Sequence, residues 1–353
     1  MKVRLGDVCD KASSSIIQKS LEGHEGKYPI YGASGLIKYV DFYQREKPYI
    51  AVVKDGAGIG RVMKLPAYSS VIGTMQYIIP NEKVDINYLV YSMEYMNLAK
   101  YFSGATIPHI YFRDYQKEPL NLPEIKVQKK IGGILSNIEK LIAFRNQELS
   151  KFDQLVKSRF IELFGDPVSN GKFWNLAILQ DVTSKIGSGA TPKGGKSSYQ
   201  KEGIPFIRSM NVHDGVFLSK DLAYLSDKQA KQLENVIVKE NDVLLNITGA
   251  SVARSCIVPK TVIPARVNQH VSIIRCIPKY LNPEFLNKLF LHHRYKNLLL
   301  SLGEAGGATR QAITKSQLEK LQIILPPLTL QNEFADFVQQ VDKSKYGEIL
   351  NAL

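Results

Sequence analysis

Residues 124–166 read EIKVQKKIGGILSNIEKLIAFRNQELSKFDQLVKSRFIELFGD, and the reading of this stretch decides the architecture. Apolar residues fall at Ile131, Leu135, Ile138, Ile142, Leu149, Phe152, Val156 and Leu163. The series 131, 135, 138, 142, 145, 149, 152, 156, 159, 163 advances by four and three without a slip. Only Arg145 and Arg159 break it, and Phe144 and Phe160 stand beside them. This is a heptad seam, the pattern of a helix supercoiling against another helix. Gly165, Asp166 and Pro167 close it with a C-terminal glycine and a proline that cannot continue a helix. The pattern predicts a helix of about 40 residues, about 60 Å long. It lies near the middle of the chain, so it separates two halves rather than trailing from one.

Outward from this helix, the two halves repeat one another. Residues 1–123 hold short apolar runs broken by glycine (YPIYGASGLIKYVDFY, KPYIAVVKDGAGIGRVMKL, SSVIGTMQYIIP), which read as strands joined by tight turns. An apolar stripe at helical spacing predicts a helix over 87–102, and a short strand is expected near Pro119–Leu122. Residues 167–325 follow the same plan, with strand-like runs IPFIRSMNV, DVLLNITG, SCIVP and VSIIRCIP and a helix expected over 282–300. Leu179-Gln-Asp-Val182 echoes Leu5-Gly-Asp-Val8. Gly307-Ala-Thr309 matches Gly104-Ala-Thr106 at an offset of 203 residues, and the offset persists through Leu325-Pro326 and Leu122-Pro123 to Gln331 and Gln128. The heptad register survives too, with Phe334, Val338 and Val341 answering Ile131, Leu135 and Ile138. The expected architecture is therefore mixed α/β (α+β), two domains of duplicated plan separated by long antiparallel coiled-coil helices. Its segments are a first domain at 1–123, a central spacer helix at 124–166, a second domain at 167–325 and a shorter distal helix at 326–353. The distal helix starts about Leu328 and meets Gly347, so antiparallel pairing would cover only the Leu149–Leu163 half of the central one.

Composition bounds the class. The chain has 353 residues, 44% hydrophobic and 22% charged, which suits two globular domains with cores of their own. No apolar run is long enough for a membrane span, and the N-terminus lacks a signal-peptide core. Cys9, Cys256 and Cys276 have no metal-ligand spacing, and three cannot all pair, so a reducing cytoplasm is expected. The net charge of +13 raises the prospect of a polyanionic partner, of which nucleic acid is the commonest.

At this point the sequence resembles the specificity subunit of type I restriction–modification systems. Lys54-Asp-Gly-Ala-Gly-Ile-Gly-Arg61 with Ser70-Val-Ile-Gly-Thr-Met-Gln-Tyr77 resembles one target-recognition domain, and Gly189-Ala-Thr-Pro192, Asn246-Ile-Thr-Gly249 and Asn268-Gln-His270 resemble another. Gly307-Ala-Thr-Arg-Gln-Ala-Ile313 followed by Leu325-Pro-Pro-Leu328 and Gln331 is similar to the family's junction between domain and helix, and Phe160-Ile-Glu-Leu-Phe-Gly-Asp-Pro167 to the end of its central helix. The resemblance covers essentially the whole chain, and the chain departs from it in the shortened distal helix. It implies two target-recognition domains, each reading one half of a bipartite double-stranded DNA sequence, with helices that set the gap and dock two methyltransferase subunits. It implies that S-adenosylmethionine, ATP and Mg belong to partner subunits, with none held by this chain. The assembled complex, with restriction/translocase subunits, would be an adenine-N6 methyltransferase and site-specific deoxyribonuclease serving phage defence.

The residues agree with a non-catalytic role. No G-x-x-x-x-G-K-[ST] phosphate loop occurs, and Gly56-Ala-Gly-Ile-Gly60 lacks G-x-G-x-x-G spacing. That run reads better as a tight turn bringing backbone near DNA. His292 and His293 are adjacent, so on one helix they would point apart rather than form a metal site. Base readout calls for paired donors and acceptors, Arg for guanine and Asn or Gln for adenine. Candidates are Tyr31, Ser34, Lys54, Arg61, Thr74, His109 and Arg113 in the first domain. In the second they are Thr191, Lys193, Arg208, Asn211, Asn246, Thr248, Arg254, Gln269, Arg310 and Gln311. The plain alternative for each is solvated loop polarity, for Asn211 a helix or turn cap, and for Lys193 a phosphate contact that positions without specifying. Trp174 and Tyr199 read as core rather than base-stacking aromatics. Gly132-Gly133 within the long helix reads as a frayed start, a bend, or the close approach of another helix. Ile131, Ile134, Leu135 and Ile138 would be left uncovered by the short distal helix, a surface for a methyltransferase subunit or for a second copy. Two other classes compete: a free-standing DNA nuclease or methyltransferase with its own active site, and a coiled-coil structural protein whose basicity is incidental.

Overall fold

The computed structural model describes residues 1–104, 107–304 and 311–350, with side chains through Lys345 in the final helix. The chain forms two compact units, Met1–Gln147 and Glu148–Leu353, and the division falls inside the long helix.

In the first unit β1 (Lys2–Arg4) pairs antiparallel with β9 (Pro119–Asn121), which ties the start of the chain to the segment feeding the long helix. Between them run β2 (Cys9–Ser13), β3 (Tyr28–Gly32), β4 (Gly35–Val40), β5 (Tyr49–Val53), β6 (Val62–Leu65), β7 (Ser70–Val71), β8 (Met75–Pro80), α1 (Ile86–Tyr95) and α2 (Phe112–Tyr115). The first sheet is antiparallel in the order β2-β8-β5-β6, and the second has the order β4-β3-β7 with β3 and β7 parallel. β5 is buried along its whole length. Its Ile50 and Val52 pack with Leu5, Ile78, Leu89, Met93 and Tyr115 in one core, and its Tyr49, Ala51 and Val53 with Met75 and Tyr77 in another.

The helix expected over 87–102 is shorter. α1 ends at Tyr95, Asn97 adopts a left-handed conformation (φ 49°), and Leu98–Tyr101 form a separate 3-10 turn. Asparagine tolerates this backbone region better than most residues, so the apolar stripe continues across a break.

α3 (Ile125–Phe164) is the long helix, within two residues of its expected ends. Gly165 terminates it at φ 72°, its N–H donating to Ile161 O at 2.8 Å. Gly132 explains the glycine pair in part. A Cβ there would lie 2.9 Å from Asn87 Cβ and Tyr88 N, so the first turn of α1 presses on α3, while Gly133 faces open space.

The second unit holds β10 (Leu176–Ile178), β11 (Thr183–Ser188), β12 (Ile204–Ile207), β13 (Val212–His213), β14 (Val216–Phe217), β15 (Ala223–Leu225), α4 (Asp227–Gln232), β16 (Ile237–Val238), β17 (Val243–Asn246), β18 (Ser255–Ile257), β19 (Ala265–Val267), β20 (Val271–Cys276), α5 (Pro283–Leu291), α6 (His293–Glu304), α7 (Lys315–Glu319), β21 (Gln322–Ile324) and α8 (Leu328–Leu350). The topology repeats that of the first unit. β10 pairs with β21 as β1 does with β9. The sheet β11-β20-β17-β18 copies β2-β8-β5-β6, and β15-β12-β19-β16 copies β4-β3-β7 with one further strand and the same parallel pair at its centre. The insertions are the β13–β14 hairpin and α4.

The helix expected over 282–300 is two helices. His292 has an extended ψ of 128°, and α6 begins at His293. The two imidazoles do not diverge as they would on one helix; their centroids lie 4.6 Å apart. α8 runs through Gly347 to Leu350. Within this unit it packs antiparallel on the end of α3, since Glu333 pairs with Arg159 and Lys345, twelve residues on, pairs back with Asp153. Phe160 and Phe164 meet Phe334 at centroid distances of 5.5 and 5.4 Å, and Val338 and Val341 continue the seam. Nearer the start of α3 the stripe is open: Ile134 is 50%, Ile138 46% and Phe144 64% exposed. Leu135, Leu141 and Ile142 are also exposed, and Ile131 is half-buried.

Candidate nucleic-acid interface

Each unit carries polar side chains on the loops that follow its most buried strand. In the first unit the turn after β5 runs from Lys54 to Arg61. Gly60 takes φ 81°, and a Cβ there would lie 2.4 Å from Ala99 N, so the turn closes tightly on the Leu98–Tyr101 segment. Asp55 forms a β-bridge with His109, which brings together residues 54 positions apart. One Asp55 oxygen accepts from Lys54 Nζ at 2.6 Å and the other from His109 Nδ1 at 2.7 Å. Burial opposes the charge on Asp55, but the hydrogen bonds from Lys54 and His109 and the charge of Lys54 outweigh it and hold the carboxyl below its usual range. His109 stacks near Tyr111, and the Arg113 guanidinium lies 4.8 Å from the Tyr111 ring centre. Arg61 donates to Ala33 O at 2.6 Å, which links this turn to the β3–β4 turn carrying Ser34. Ser34 and Thr74 are exposed. Tyr31 is half-buried against the core of Tyr49, Met75 and Tyr77, and burial followed by the neighbouring Tyr39 raises its pKa.

In the second unit the turn after β17 pairs with the segment after α6 in the same way, through a bridge between Thr248 and Ala312. Thr248 Oγ1 is hydrogen-bonded to His270 Nδ1, Gln269 Nε2 lies 3.1 Å from His270 Nε2, and Gln269 Oε1 accepts from Thr191. Gln311 donates to Glu304 at 2.8 Å. Lys193 is exposed beside Gly194 and Gly195, and Arg254 is half-buried with no side-chain hydrogen bond or ion pair among the described residues. Arg208 donates to Asp221 O and lies over Tyr199. Arg310 lies outside the described residues, as do Ala105-Thr106 and Gly307-Ala-Thr309 of the repeat.

Two candidates are occupied by the fold. Asn211 is 0% exposed; its Oδ1 accepts from Arg208 N at 3.0 Å, and its Nδ2 donates to the Leu218 and Lys220 carbonyls. This is the turn cap, the second of its two readings. Asn246 is also 0% exposed, with Nδ2 donating to the Ser209 and Val212 carbonyls. Its type suits adenine, but its place inside β17 keeps it from solvent. Trp174 and Tyr199 pack against core clusters, and Trp174 Nε1 donates to Phe164 O at 3.0 Å. Asp55, Tyr111 and His270 belong to the two clusters and were not among the candidates. Asp55 and His270 stand inside the quoted runs 54–61 and 268–270, which was the available signal.

The two clusters thus differ chemically on equivalent scaffolds. One is cationic and aromatic, built on Lys54, His109, Tyr111 and Arg113. The other is built on hydroxyl, amide and imidazole groups that both donate and accept.

The family profile described as "Type I restriction modification DNA specificity domain" matches residues 1–152 and 172–353, nearly the whole chain in two copies. The chain belongs to this specificity-domain family. Among curated relatives, the type I restriction enzyme MjaVIII specificity subunit of Methanocaldococcus jannaschii is 23% identical, over 96% of this chain and 85% of its own length. A putative type I specificity subunit of Mycoplasma pneumoniae is 24% identical, over 94% of this chain and 86% of its own. Among solved structures, a type I restriction–modification S subunit from M. genitalium shares the fold with a TM-score of 0.71. Its identity is 14%, over 100% of this chain and 92% of that one. The two matched stretches agree with the repeated topology described above. Among the described residues there is no group of three or more His, Cys, Asp or Glu that could hold a metal, and no helix is long and apolar enough to cross a membrane.

Proposed function

We infer that this chain is the DNA-recognition subunit of a type I restriction–modification enzyme, in which each duplicated domain reads one half of a bipartite duplex target. The observation that carries this reading is the pairing of one repeated scaffold with two chemically different loop clusters. Equivalent scaffolds give equivalent placement, while different side chains at the same loops give different base preferences. Segments 1–123 and 167–325 act as the recognition domains, and the helices at 124–166 and 326–353 set the gap.

Seven of the accessible candidates fall into two kinds of contact. Lys54, His109, Arg113, Thr248, Gln269 and Arg254 lie where base edges would be read. Lys193, beside the Gly194-Gly195 turn, suits a phosphate. The chain itself supplies addresses and no chemistry. Adenine methylation with S-adenosylmethionine, and ATP- and Mg-dependent cleavage, belong to two methyltransferase subunits and to restriction subunits in the cytoplasm. The stripe at Ile131, Ile134, Leu135 and Ile138, half-buried at the first and exposed at the other three, is the docking surface for a methyltransferase subunit or for a second copy.

Incubating the purified chain with DNA and either S-adenosylmethionine or Mg tests this. The reading expects no turnover from the chain alone, and sequence-selective methylation once the methyltransferase partner is added. Methylation or cleavage by the chain alone would favour a free-standing enzyme. Partner-independent, sequence-blind binding would favour a scaffold with incidental basicity.

A further inference from the structure

The start of each long helix is fixed to its own domain by one buried glutamine, and the two joints are alike in every bond. Gln128 is 1% and Gln331 0% exposed. Gln128 Oε1 accepts from Asp85 N at 2.9 Å, and its Nε2 donates to Lys83 O at 3.1 Å and Pro123 O at 2.8 Å. Gln331 Oε1 accepts from Asn282 N at 2.9 Å, and its Nε2 donates to Tyr280 O at 3.2 Å and Pro326 O at 2.8 Å. The N–H taken up belongs in both cases to the residue whose side chain caps the next domain helix. Asp85 caps α1 by accepting from Asn87 N and Tyr88 N, and Asn282 caps α5 by accepting from Glu284 N and Phe285 N. Each glutamine therefore clamps the start of its long helix to the start of a domain helix and to the carbonyl of the proline that turns the chain into the long helix.

The side-chain amide is suited to this task. It offers an acceptor and two donors on one rigid group, and three backbone groups use all of them. Alanine would deprive an N–H and two carbonyls of their side-chain partner in a part-buried joint, and glutamate would lose the donors. Close packing follows one turn on. Gly132 admits the α1 backbone, and the corresponding position in the second copy is the small, buried Ala335. The recognition loops of the two units have diverged in chemistry while this joint has not.

We propose that Gln128 and Gln331 are positioning residues. Each fixes the direction in which its helix leaves its recognition domain, and together they fix the number of base pairs at which the two half-targets are accepted. The proposal rests on the reading that the helices set the gap of a bipartite target.

Two readouts test it, one of which needs no DNA. Spin labels at Lys47→Cys and Asn137→Cys report the angle between the first domain and its helix. Gln128→Ala broadens their distance distribution, whereas Asp85→Ala, which removes the α1 cap but keeps the Asp85 N–H, lowers Tm without broadening it. A distribution as narrow in Gln128→Ala as in the wild type overturns the proposal.

The second readout selects duplexes from a random-sequence pool with the chain assembled with its methyltransferase partner. Gln128→Ala and Gln331→Ala keep the bases of both half-targets and accept gaps one base pair longer or shorter about fivefold more often, the scale of one net hydrogen bond. A gap as strict as the wild type's, with broadened labels, overturns the link between joint and gap. Failure of the wild-type assembly to select any bipartite sequence defeats the functional reading instead, and the label distances still decide the joint.

Discussion

Asp55 shows how much of the candidate interface depends on single side chains. It holds Lys54 and His109 with its two oxygens, so its charge organises the cationic cluster of the first unit. Its folded carboxyl titrates below the usual range because those partners outweigh the cost of burial. A carboxyl depressed in the folded state contributes stability that is present above its unfolded value of about 4 and is lost as pH falls through the folded one. Asp55→Asn therefore lowers the urea midpoint at pH 7, and the gap between the two proteins narrows on acidification below about pH 4. A gap that stays constant with pH would show that Asp55 is not charged and paired as described. At this scale the sequence was only partly legible. The glycine-rich turn pointed to Lys54, but its pairing with His109 depends on a bridge between distant segments that no local pattern records. Asn211 and Asn246 were chosen for their hydrogen-bonding groups, and burial, which sequence does not display, turned both side chains into the fold instead.

Elements were more legible where periodicity runs long. Forty residues of heptad register give α3 nearly to the residue, because a seam that must face a partner constrains every turn. The shorter helices at 87–102 and 282–300 were placed correctly but not divided. Asn97 and His292 break the backbone without breaking the apolar stripe, so the pattern carries across the break. The seam itself has two fates. At the end of α3, Phe160 is 3% exposed among Phe164, Phe285 and Phe334, and Phe160→Ala costs about 3–5 kcal/mol of stability by chemical denaturation. A loss under about 1 kcal/mol, the scale of a substitution outside the core, would contradict this packing. Towards the start of α3 the same register stands open, and a fully covered aliphatic side chain there would contribute about 1.5–3 kcal/mol. The isolated chain accordingly self-associates in sedimentation experiments, and Leu135→Glu with Ile138→Glu returns it to a monomer while weakening assembly with a methyltransferase partner. A monomeric parent chain unaffected by those changes would show that the stripe is no interface.

For the whole molecule the governing fact is duplication. An offset of 203 residues was visible in a few short matches, and the structure extends it to strand order, parallel pairing and the glutamine joints. The insertions that distinguish the second unit, β13–β14 and α4, gave no such signal because they have no counterpart to match. A net charge of +13 implies binding dominated by phosphate contacts, so log K of the assembled complex falls with log salt by about 0.9 per phosphate; a flat response would contradict it. The central claim is that each copy reads its half-target independently. Exchange of residues 167–325 for the corresponding segment of a relative, followed by sequencing of methylated sites in cells carrying the intact system, tests this most directly. One half-target changes and the other half-target stays the same if the account is correct. Change in both halves, or in neither, would contradict it.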